Sequence, residues 1–314
     1  MDTLSRLIAL YPVRTALDVR CHFGAPWLLD HPQAEPGVAP YHLITRGTAT
    51  IDGADGLVVH AGDVIVFPHG ASHRLYAGDP ARATPPTTSG AGLLRYKGNE
   101  GEGAPTDILC GEFRFDVDAA GGGLLAALPD VLVVHTDEGA EARGLRQVMQ
   151  VLQAEAEAPR DGSDAIVRQL ASALFALLIR GWLAQAPGVP GLFAVLAERR
   201  LQPALHAMLD APQQPWTLAT LAALCHMSRA TFARVFGRAA GAAPAEVLTR
   251  LRMARAARWL EAGGHAAGAV AEMVGYQSEA AFHRAFKRQY GVGPGAWRRG
   301  GRTTAEFTAP AAYE

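Results

Sequence analysis

The chain has only three cysteines in 314 residues, and they lie far apart at Cys21, Cys110 and Cys225. This spacing argues against the disulfide framework of a small secreted domain. There is also no run of 18 or more apolar residues, and the first ten residues have neither a basic start nor a long apolar stretch. These absences argue against a membrane span and a secretory signal. We therefore expect a cytoplasmic protein with reduced thiols and no membrane partner.

Charge is also scarce over the chain as a whole. Charged residues make up 19% of the sequence, the formal net charge is −1, and 49% of the residues are hydrophobic. This composition is typical of a globular protein and not of a disordered one. The length is sufficient for two domains that each bury a core.

The most informative feature that is present is a repeat of 50 residues. Eight residue types recur at the same offset, which indicates that one supersecondary unit is used twice. The first copy contains Ser228, Ala230, Phe232, Arg234, Phe236, Arg238, Gly241 and Pro244. The second copy contains Ser278, Ala280, Phe282, Arg284, Phe286, Arg288, Gly291 and Pro294.

Each copy has the pattern of a helix-turn-helix. In the first copy, residues 218–224 predict a short helix whose three leucines share one side, and Ser228 is a suitable N-cap for a second helix. In that second helix, Phe232 and Phe236 have the spacing of an inward face. A helix over residues 245–261, about 25 Å long at 1.5 Å per residue, separates the copies. A spacer of that order can place two recognition helices about one DNA turn, ~34 Å, apart.

The repeat is basic within a chain that is nearly neutral. Residues 213–300 contain twelve basic and four acidic side chains, a net charge of +8. This concentration is the electrostatic signature of a phosphate-binding surface. The alternative is a solvated helical bundle whose arginines are incidental. We predict that the outward faces bind double-stranded DNA through Arg229, Ala230, Ala233, Arg234, Glu279, Ala280, His283, Arg284, Lys287 and Arg288.

Residues 215–299 resemble the DNA-binding domain of AraC/XylS-family transcription regulators. The resemblance depends on the S-x3-F-x3-F core, the G-x-x-P after each recognition helix, the R-x3-A run at residues 252–256 and the V-G-Y step at residues 274–276. It implies a regulator that binds promoter DNA, forms a homodimer and acts with RNA polymerase. Gly268 is a departure, because glycine is a poor helix former, by about 1 kcal/mol relative to Ala. We therefore expect the first helix of the second copy to be the looser one.

The N-terminal half has a different periodicity. Between residues 15 and 115, apolar and polar residues mostly alternate with a period of two, in short segments separated by turn residues. Several short strands in one stretch predict a sandwich or a small barrel. Residues 62–73 resemble the second motif of cupin domains, G-x5-P-x-G-x2-H, which implies that His73 points into the barrel. His42, five residues before Gly47, lies where the first cupin motif would run.

The rival function is that of a cupin enzyme, a dioxygenase or an isomerase. The H-x-H-x3-E motif of metal-dependent cupin enzymes is absent, and the basic repeat has no role in such an enzyme. We therefore predict that the protein is not an enzyme. The predicted fold class is α+β, with an N-terminal cupin-like β-barrel and a helical dimerisation segment, followed by an all-α domain of two helix-turn-helix units.

Two of the cysteines are candidate sensor residues. Cys21 lies on an apolar strand face, so it is either a buried small hydrophobe or a sensor thiol. Cys110 shares its face with charged residues and is less clearly inward. Together with His42 and His73, these thiols form a candidate site for zinc or another transition metal, although either histidine could be a hydrogen-bonded core residue. Cys225 is expected to be a packed residue of a turn.

The predicted domains are a sensor barrel (1–135), a helical dimerisation segment (136–190), a linker helix (191–212), the DNA-binding domain (213–300) and a flexible tail (301–314). Residues 77–106 are rich in Gly, Pro, Thr and Ala and are predicted to form a mobile loop. In the helical segment, stripes that contain Leu145, Leu152, Leu170 and Leu177 pack either on the barrel or against a second subunit.

Over most of its length the chain resembles the cupin-type subgroup of AraC regulators, which includes an activator that responds to reactive chlorine. The stretches D-T-L-S-R-L, Y-H-L-I-T-R-G and C-G-E-F-R-F, together with Cys21, carry this resemblance. It implies that Cys21 senses an oxidant. We therefore predict a transcription activator whose cupin domain senses a signal such as reactive chlorine. The alternative is a regulator of the same type that responds to a small molecule or a metal.

Overall fold

The predicted strands of the N-terminal half pair into two sheets in the computed structural model. The structure describes residues 1–11, 13–52, 56–90, 95–115, 128–136, 140–157, 160–185 and 190–300. One unit contains the described residues from 13 to 197, and the other contains residues 1–11 together with 198–300. The predicted tail, 301–314, lies outside the described residues.

The strands are β1 (Val13–Gly24), β2 (Trp27–His31), β3 (Val38–Arg46), β4 (Thr48–Ile51), β5 (Val58–His60), β6 (Val64–Val66), β7 (His73–Ala77), β8 (Thr87–Ser89), β9 (Arg95–Gly98), β10 (Pro105–Phe115) and β11 (Leu132–Val134). One sheet has the order β11-β6-β3-β10-β1-β9-β8, and the other has the order β2-β7-β4-β5. A core of residues from both sheets, including Phe23, Trp27, Ile65 and Ile108, joins them. This arrangement is the predicted cupin-like architecture.

The stretch predicted to be a loop, residues 77–106, instead contributes β8 and β9 to the larger sheet. Strand β9 pairs in parallel with β1, so that Lys97 lies opposite Cys21. The residues of β9 are all half-buried, with no alternation between faces. Because alternation was the signal for a strand, the pattern of residue types did not reveal it.

The expectation that Cys110 is less clearly inward is wrong. Cys110 is only 4% exposed and belongs to the same core cluster as Cys21 and Ile108. Unlike Cys110, the charged residues further along β10 are not in the core. Glu112 and Arg114 are half-buried and form an ion pair at 2.6 Å.

Two antiparallel helices complete this unit, α2 (Ala140–Glu157) and α3 (Ser163–Gln185), and a short helix, α4 (Leu192–Ala197), follows. Leu145 and Leu152 are fully buried, so their stripe packs inside the protomer and is not a dimer surface. Helix α3 packs on β1 and is long and apolar enough, by length and composition, to cross a membrane. Much of its apolar surface is buried in this unit, as for Leu174 and Trp182.

The other unit is helical. Its helices are α1 (Thr3–Leu10), α5 (Gln202–Asp210), α6 (Leu218–Leu224), α7 (Arg229–Ala240), α8 (Pro244–Ala262), α9 (Ala267–Met273), α10 (Glu279–Tyr290) and α11 (Pro294–Gly300). Both predicted helix-turn-helix units are present, as α6–α7 and α9–α10. Of the three leucines in α6 only Leu221 is buried, and Leu218 and Leu224 are each 40% exposed. Leucines at i, i+3 and i+6 drift by about 60° per step around a helix of 3.6 residues per turn, so they do not share one side.

This unit extends beyond the predicted boundaries of 213–300. Helix α5, predicted to be a linker, buries Ala204, Leu205 and Met208, and it contacts α6 and α8. Arg255 Nη1 donates a hydrogen bond to the carbonyl of Leu209 at the end of α5 (3.2 Å). Helix α1 also packs here, with Leu7 fully buried. Helix α5, predicted to be a linker, and helix α1, predicted to belong to the barrel, are therefore parts of the helical core.

Candidate functional site

The two recognition helices, α7 and α10, begin and end in the same way. The side chains of Ser228 and Ser278 accept hydrogen bonds from the backbone N–H groups of Thr231 (3.2 Å) and Ala281 (3.4 Å). At the other end, Gly241 (φ 66°) and Gly291 (φ 74°) adopt the left-handed conformation that stops each helix. These shared caps give both recognition helices the same length of 12 residues.

The predicted DNA-contacting residues lie on the outer faces of these helices. Phe232, Phe236, Phe282 and Phe286 are fully buried, and they hold the inner faces on the core. All ten predicted contact residues except Ala233, which is half-buried, are exposed. The alanines at positions 230 and 280 leave the backbone open to close approach by a partner.

The cations on the recognition helices are available for a ligand. In the described part of the chain, no ion pair occupies Arg229, Arg234, Arg238, Arg284, Lys287 or Arg288. The arginines of α8 have other roles. Arg252 Nε donates to the carbonyl of Pro212 (2.7 Å), and Arg258 donates to the carbonyl of Ala9. The net charge of +8 therefore overstates the charge that is free to meet phosphate.

The interior of the barrel holds a chain of polar side chains. His42 on β3 lies opposite Cys110 on β10, and its Nδ1 is 3.1 Å from Cys110 Sγ. The Nε2 atom of His42 is 2.8 Å from Nε2 of His73, which begins β7. Cys110 Sγ is also 3.9 Å from Cys21 Sγ on β1. The structure thus brings together the four residues predicted to form the sensor site.

The hydrogen-bond donors among these side chains can be assigned by starting from His73. Nδ1 of His73 lies 2.8 Å from the carbonyl of Ala71, which can only accept, so this nitrogen carries a proton. In a neutral His73 the Nε2 atom is then an acceptor, and His42 donates to it through Nε2–H. Nδ1 of His42 is left with a lone pair that accepts the thiol proton of Cys110. The hydrogen-bond network therefore ends on the thiol of Cys110, which donates to Nδ1 of His42.

Burial keeps the imidazoles neutral. Desolvation lowers the pKa of the fully buried His42 well below its usual value, and the neighbouring His31 and His73 lower it further. Desolvation also lowers the pKa of His73. At neutral pH these buried imidazoles are thus neutral and not imidazolium ions.

Sequence reasoning missed a further histidine of this cluster, His31. It ends β2 and lies opposite His73 in the pairing of β2 with β7. Its ring stacks parallel to that of His73 at 4.9 Å, and His73 in turn stacks on Phe67 at 3.5 Å. Desolvation lowers the pKa of His31 to about 3. The alternation of Trp27, Leu29 and His31 was the available signal, because these positions share one face of a strand.

The ligand atoms of His31, His42 and Cys110 all lie within 4.8 Å of one another. Imidazole nitrogen and thiolate sulfur are ligands that zinc and related transition metals accept. The donor set therefore fits such an ion. It differs from the predicted set, because His31 is included and because Cys21 reaches the cluster only through Cys110.

Comparisons with known proteins also divide the chain into an N-terminal cupin part and a C-terminal helix-turn-helix part. A family described as Cupin matches residues 2–184, and a family described as a helix-turn-helix domain matches residues 221–300. The chain is 33% identical to the RCS-specific HTH-type transcriptional activator RclR of Escherichia coli (strain K12), over 95% of this chain and 97% of that protein. It is 30% identical to the HTH-type transcriptional regulator MtrA of Neisseria gonorrhoeae, over 96% of this chain and 99% of that protein.

Among solved structures, the DNA-binding domain of AdpA in complex with a target DNA is 34% identical. It covers 33% of this chain and 96% of its own, with a TM-score of 0.31.

Proposed function

We propose that this chain, which belongs to the family of transcription regulators that join an N-terminal cupin domain to an AraC-type helix-turn-helix domain, activates transcription in response to an oxidant. Its family membership makes it a DNA-binding transcription regulator. Its relatives RclR and MtrA are transcription regulators, which agrees with a non-enzymatic role. In that role it works in the cytoplasm with promoter DNA and RNA polymerase.

The observation that supports an oxidant as the signal is the buried thiol pair. Cys21 and Cys110 lie on neighbouring strands with their sulfur atoms 3.9 Å apart, and Cys110 is hydrogen-bonded to an imidazole. Hypochlorous acid would take two electrons from the two thiols and leave as chloride and water, while the second thiol proton is released. One S–S bond then forms between β1 and β10. The relative RclR is named as RCS-specific, where RCS denotes reactive chlorine species.

A disulfide at these positions would require the strands to move. Cys21 pairs with Ile108, and Cys110 pairs with Val19, so the two cysteines are diagonal neighbours. Diagonal positions on paired strands are roughly 7–8 Å apart, which is beyond the usual reach of about 4.4–6.8 Å between the Cα atoms of a disulfide. Oxidation would therefore shift β1 against β10. Since β1 continues the chain that forms α1, this shift is a route by which the signal reaches the helical unit.

We further propose that the protein binds DNA as a homodimer. The α2–α3 pair has a partly exposed apolar surface: Val151 (44%) and Ile166 (41%) are exposed, and Leu170 and Leu177 are half-buried. This surface replaces the Leu145 and Leu152 stripe as the candidate dimer contact.

A gel-shift or transcription assay on the upstream intergenic DNA, with and without hypochlorous acid, tests the function. We expect the oxidant to change the response of the wild type, and we expect Cys21→Ser to keep DNA binding but lose the change, because the thiols lie in a different unit from the recognition helices. Cys225→Ser, which alters a buried thiol of the helical unit, is the matched control. A Cys21→Ser protein with a full response would contradict the assignment of the thiol pair.

A further inference from the structure

We propose that His31, His42 and Cys110 form a site for one zinc-like divalent metal ion, and that metal binding and the disulfide between Cys110 and Cys21 exclude each other. The metal site stands on geometry alone. Only its coupling to oxidation rests on the proposed oxidant response.

The three donors come from three strands that meet in the interior of the barrel. His31 ends β2, His42 lies on β3 and Cys110 lies on β10. Their ligand atoms are within 4.8 Å of one another. Donors on one tetrahedral zinc ion are roughly 3.3–3.8 Å apart, given Zn–N of about 2.0–2.1 Å and Zn–S of about 2.3 Å. Side-chain shifts of about an ångström would therefore close the site.

His73 has the place of an outer partner that orients a ligand. If the metal takes the lone pair on His42 Nδ1, then His42 keeps its hydrogen bond from Nε2–H to His73 Nε2 (2.8 Å). His73 is itself held by the carbonyl of Ala71 and by the ring of Phe67. Metal-bound histidines commonly donate their other ring N–H to such a partner, which fixes their tautomer and orientation. The hydrogen-bond chain thus already has the form that a metal-bound His42 needs.

Three protein ligands leave a fourth position on a tetrahedral ion for water or an external ligand. Cys21 does not belong to the three-donor cluster, although its sulfur is 3.9 Å from that of Cys110. Cys21 is therefore assigned as the reaction partner of Cys110 and not as a metal ligand.

The two states of Cys110 are chemically exclusive. To bind the metal, Cys110 gives up its thiol proton to solvent and donates a lone pair of its thiolate. To form the disulfide, the Cys110 thiolate and the Cys21 thiol together lose two electrons to hypochlorous acid, which yields chloride and water. The sulfur that was the ligand is then bonded to Cys21, and the metal ion is released. A two-electron oxidant therefore converts a metal-bound barrel into a disulfide-bonded one.

Titration of metal-free full-length protein with Zn²⁺ against a chromophoric chelator tests the site. We expect one equivalent of tight binding in the wild type and in Cys21→Ser, and we expect its loss in His31→Gln and Cys110→Ser. His73→Gln should weaken binding by about 10–100-fold, the usual cost of removing an outer partner. His60→Gln, which changes an exposed histidine, and Cys225→Ser are controls that should bind as the wild type does.

Co²⁺ in place of Zn²⁺ gives a second readout, because a thiolate-to-cobalt charge-transfer band should be present in Cys21→Ser and absent in Cys110→Ser. His31→Gln is the decisive variant, since His31 is only half-buried and its replacement is the least disruptive to the core; circular dichroism verifies the fold of each variant. Binding by His31→Gln that equals the wild type, or loss of the site in Cys21→Ser, would overturn the ligand set.

The exclusion is tested on the same protein by adding hypochlorous acid to the zinc-bound form. The amount of zinc released and the number of thiols oxidised should increase together, and the oxidised protein should no longer bind zinc. Oxidised protein that still holds one equivalent would contradict the exclusion. None of these experiments uses DNA. If the protein does not bind zinc but its gel shift depends on the oxidant, the zinc site is wrong and the proposed function stands. If the protein binds zinc but its gel shift does not depend on the oxidant, only the proposed function is wrong.

Discussion

The two units of this protein place their polar chemistry in opposite locations. Seven polar or charged residues are buried in the described part of the chain, among them His42, Asp63 and His73, and all seven belong to the barrel-containing unit. The helical unit has an apolar interior built on four fully buried phenylalanines, and its charged groups are on the surface. The difference shows that the helical unit keeps its charged groups at the surface, where a phosphate backbone can reach them, whereas the barrel shields its histidines and thiols from bulk water.

The largest expected effect comes from removing part of the apolar interior. A fragment of residues 198–300 lacks only α1 and should remain folded, although less stable than the unit in the full chain. One that begins at residue 211 should be largely unfolded, because it also loses α5. Removing a buried Leu or Met side chain such as Leu205 or Met208 typically costs about 2–5 kcal/mol. Circular dichroism and thermal unfolding compare the two fragments. Equal stability would show that α5 is a linker after all.

Acid should separate the two units, because only one of them buries histidines. Desolvation lowers the pKa of His31 to about 3 and also lowers the pKa values of His42 and His73. Below the unfolded-state pKa of about 6.5, the unfolded barrel binds protons that the folded barrel does not. The free energy of unfolding should therefore be unaffected above pH 6.5 and should fall as the pH drops toward 3. The slope approaches about 1.4 kcal/mol per pH unit for each histidine.

Proteolysis of metal-free protein over this pH range, followed by mass spectrometry of the fragments, measures that loss. The barrel should become sensitive first, while residues 198–300 remain protected. Simultaneous cleavage of both units would indicate that buried histidines do not set the acid stability.

On the surface of the helical unit, Arg234→Ala and Arg284→Ala should each weaken specific DNA binding by about 1–3 kcal/mol, because arginine can bind guanine through two hydrogen bonds. Neither change should alter the melting temperature, since both side chains are exposed. Arg200→Ala, at an exposed arginine paired with Glu198, is the charge-matched control. Fluorescence anisotropy with the native operator measures the effect. Unchanged affinity in both variants would remove these residues from the interface.

The smallest effects should distinguish the two helix-turn-helix units from each other. Helix α6 has a capping box between Thr217 and Thr220, but the N-cap residue of α9, Ala266, makes no side-chain hydrogen bond. Thr217→Ala should destabilise the helical unit, and Ala266→Ser should stabilise it, each by about 1 kcal/mol. Gly268→Ala should add a stabilisation of about 1 kcal/mol or less. Denaturant unfolding of residues 198–300 measures these shifts, and a neutral Ala266→Ser would show that the second unit is not limited by its cap.

The helical repeat was predictable in most of its detail. Phe232, Phe236, Ser228 and Gly241 act within one or two helical turns, and each position has a local reason for its residue type. The prediction that the three leucines of α6 share one side was wrong, because positions three residues apart drift around the helix and Leu218 and Leu224 end on different sides. The strands that carry alternating residues were also predictable, but β9 was not, because it has no alternation.

The sequence by itself determined the two-part architecture, the twofold use of one DNA-binding unit, and the outward placement of its arginines, because these depend on periodicity and capping. It also identified Cys21, His42, His73 and Cys110 as candidates. Only the tertiary structure decided that His31 joins them, that α5 and α1 belong to the helical unit, and that the Leu145 stripe is internal. Those outcomes depend on which strands and helices meet across long separations in the chain, and such meetings leave no local pattern in the residues that make them.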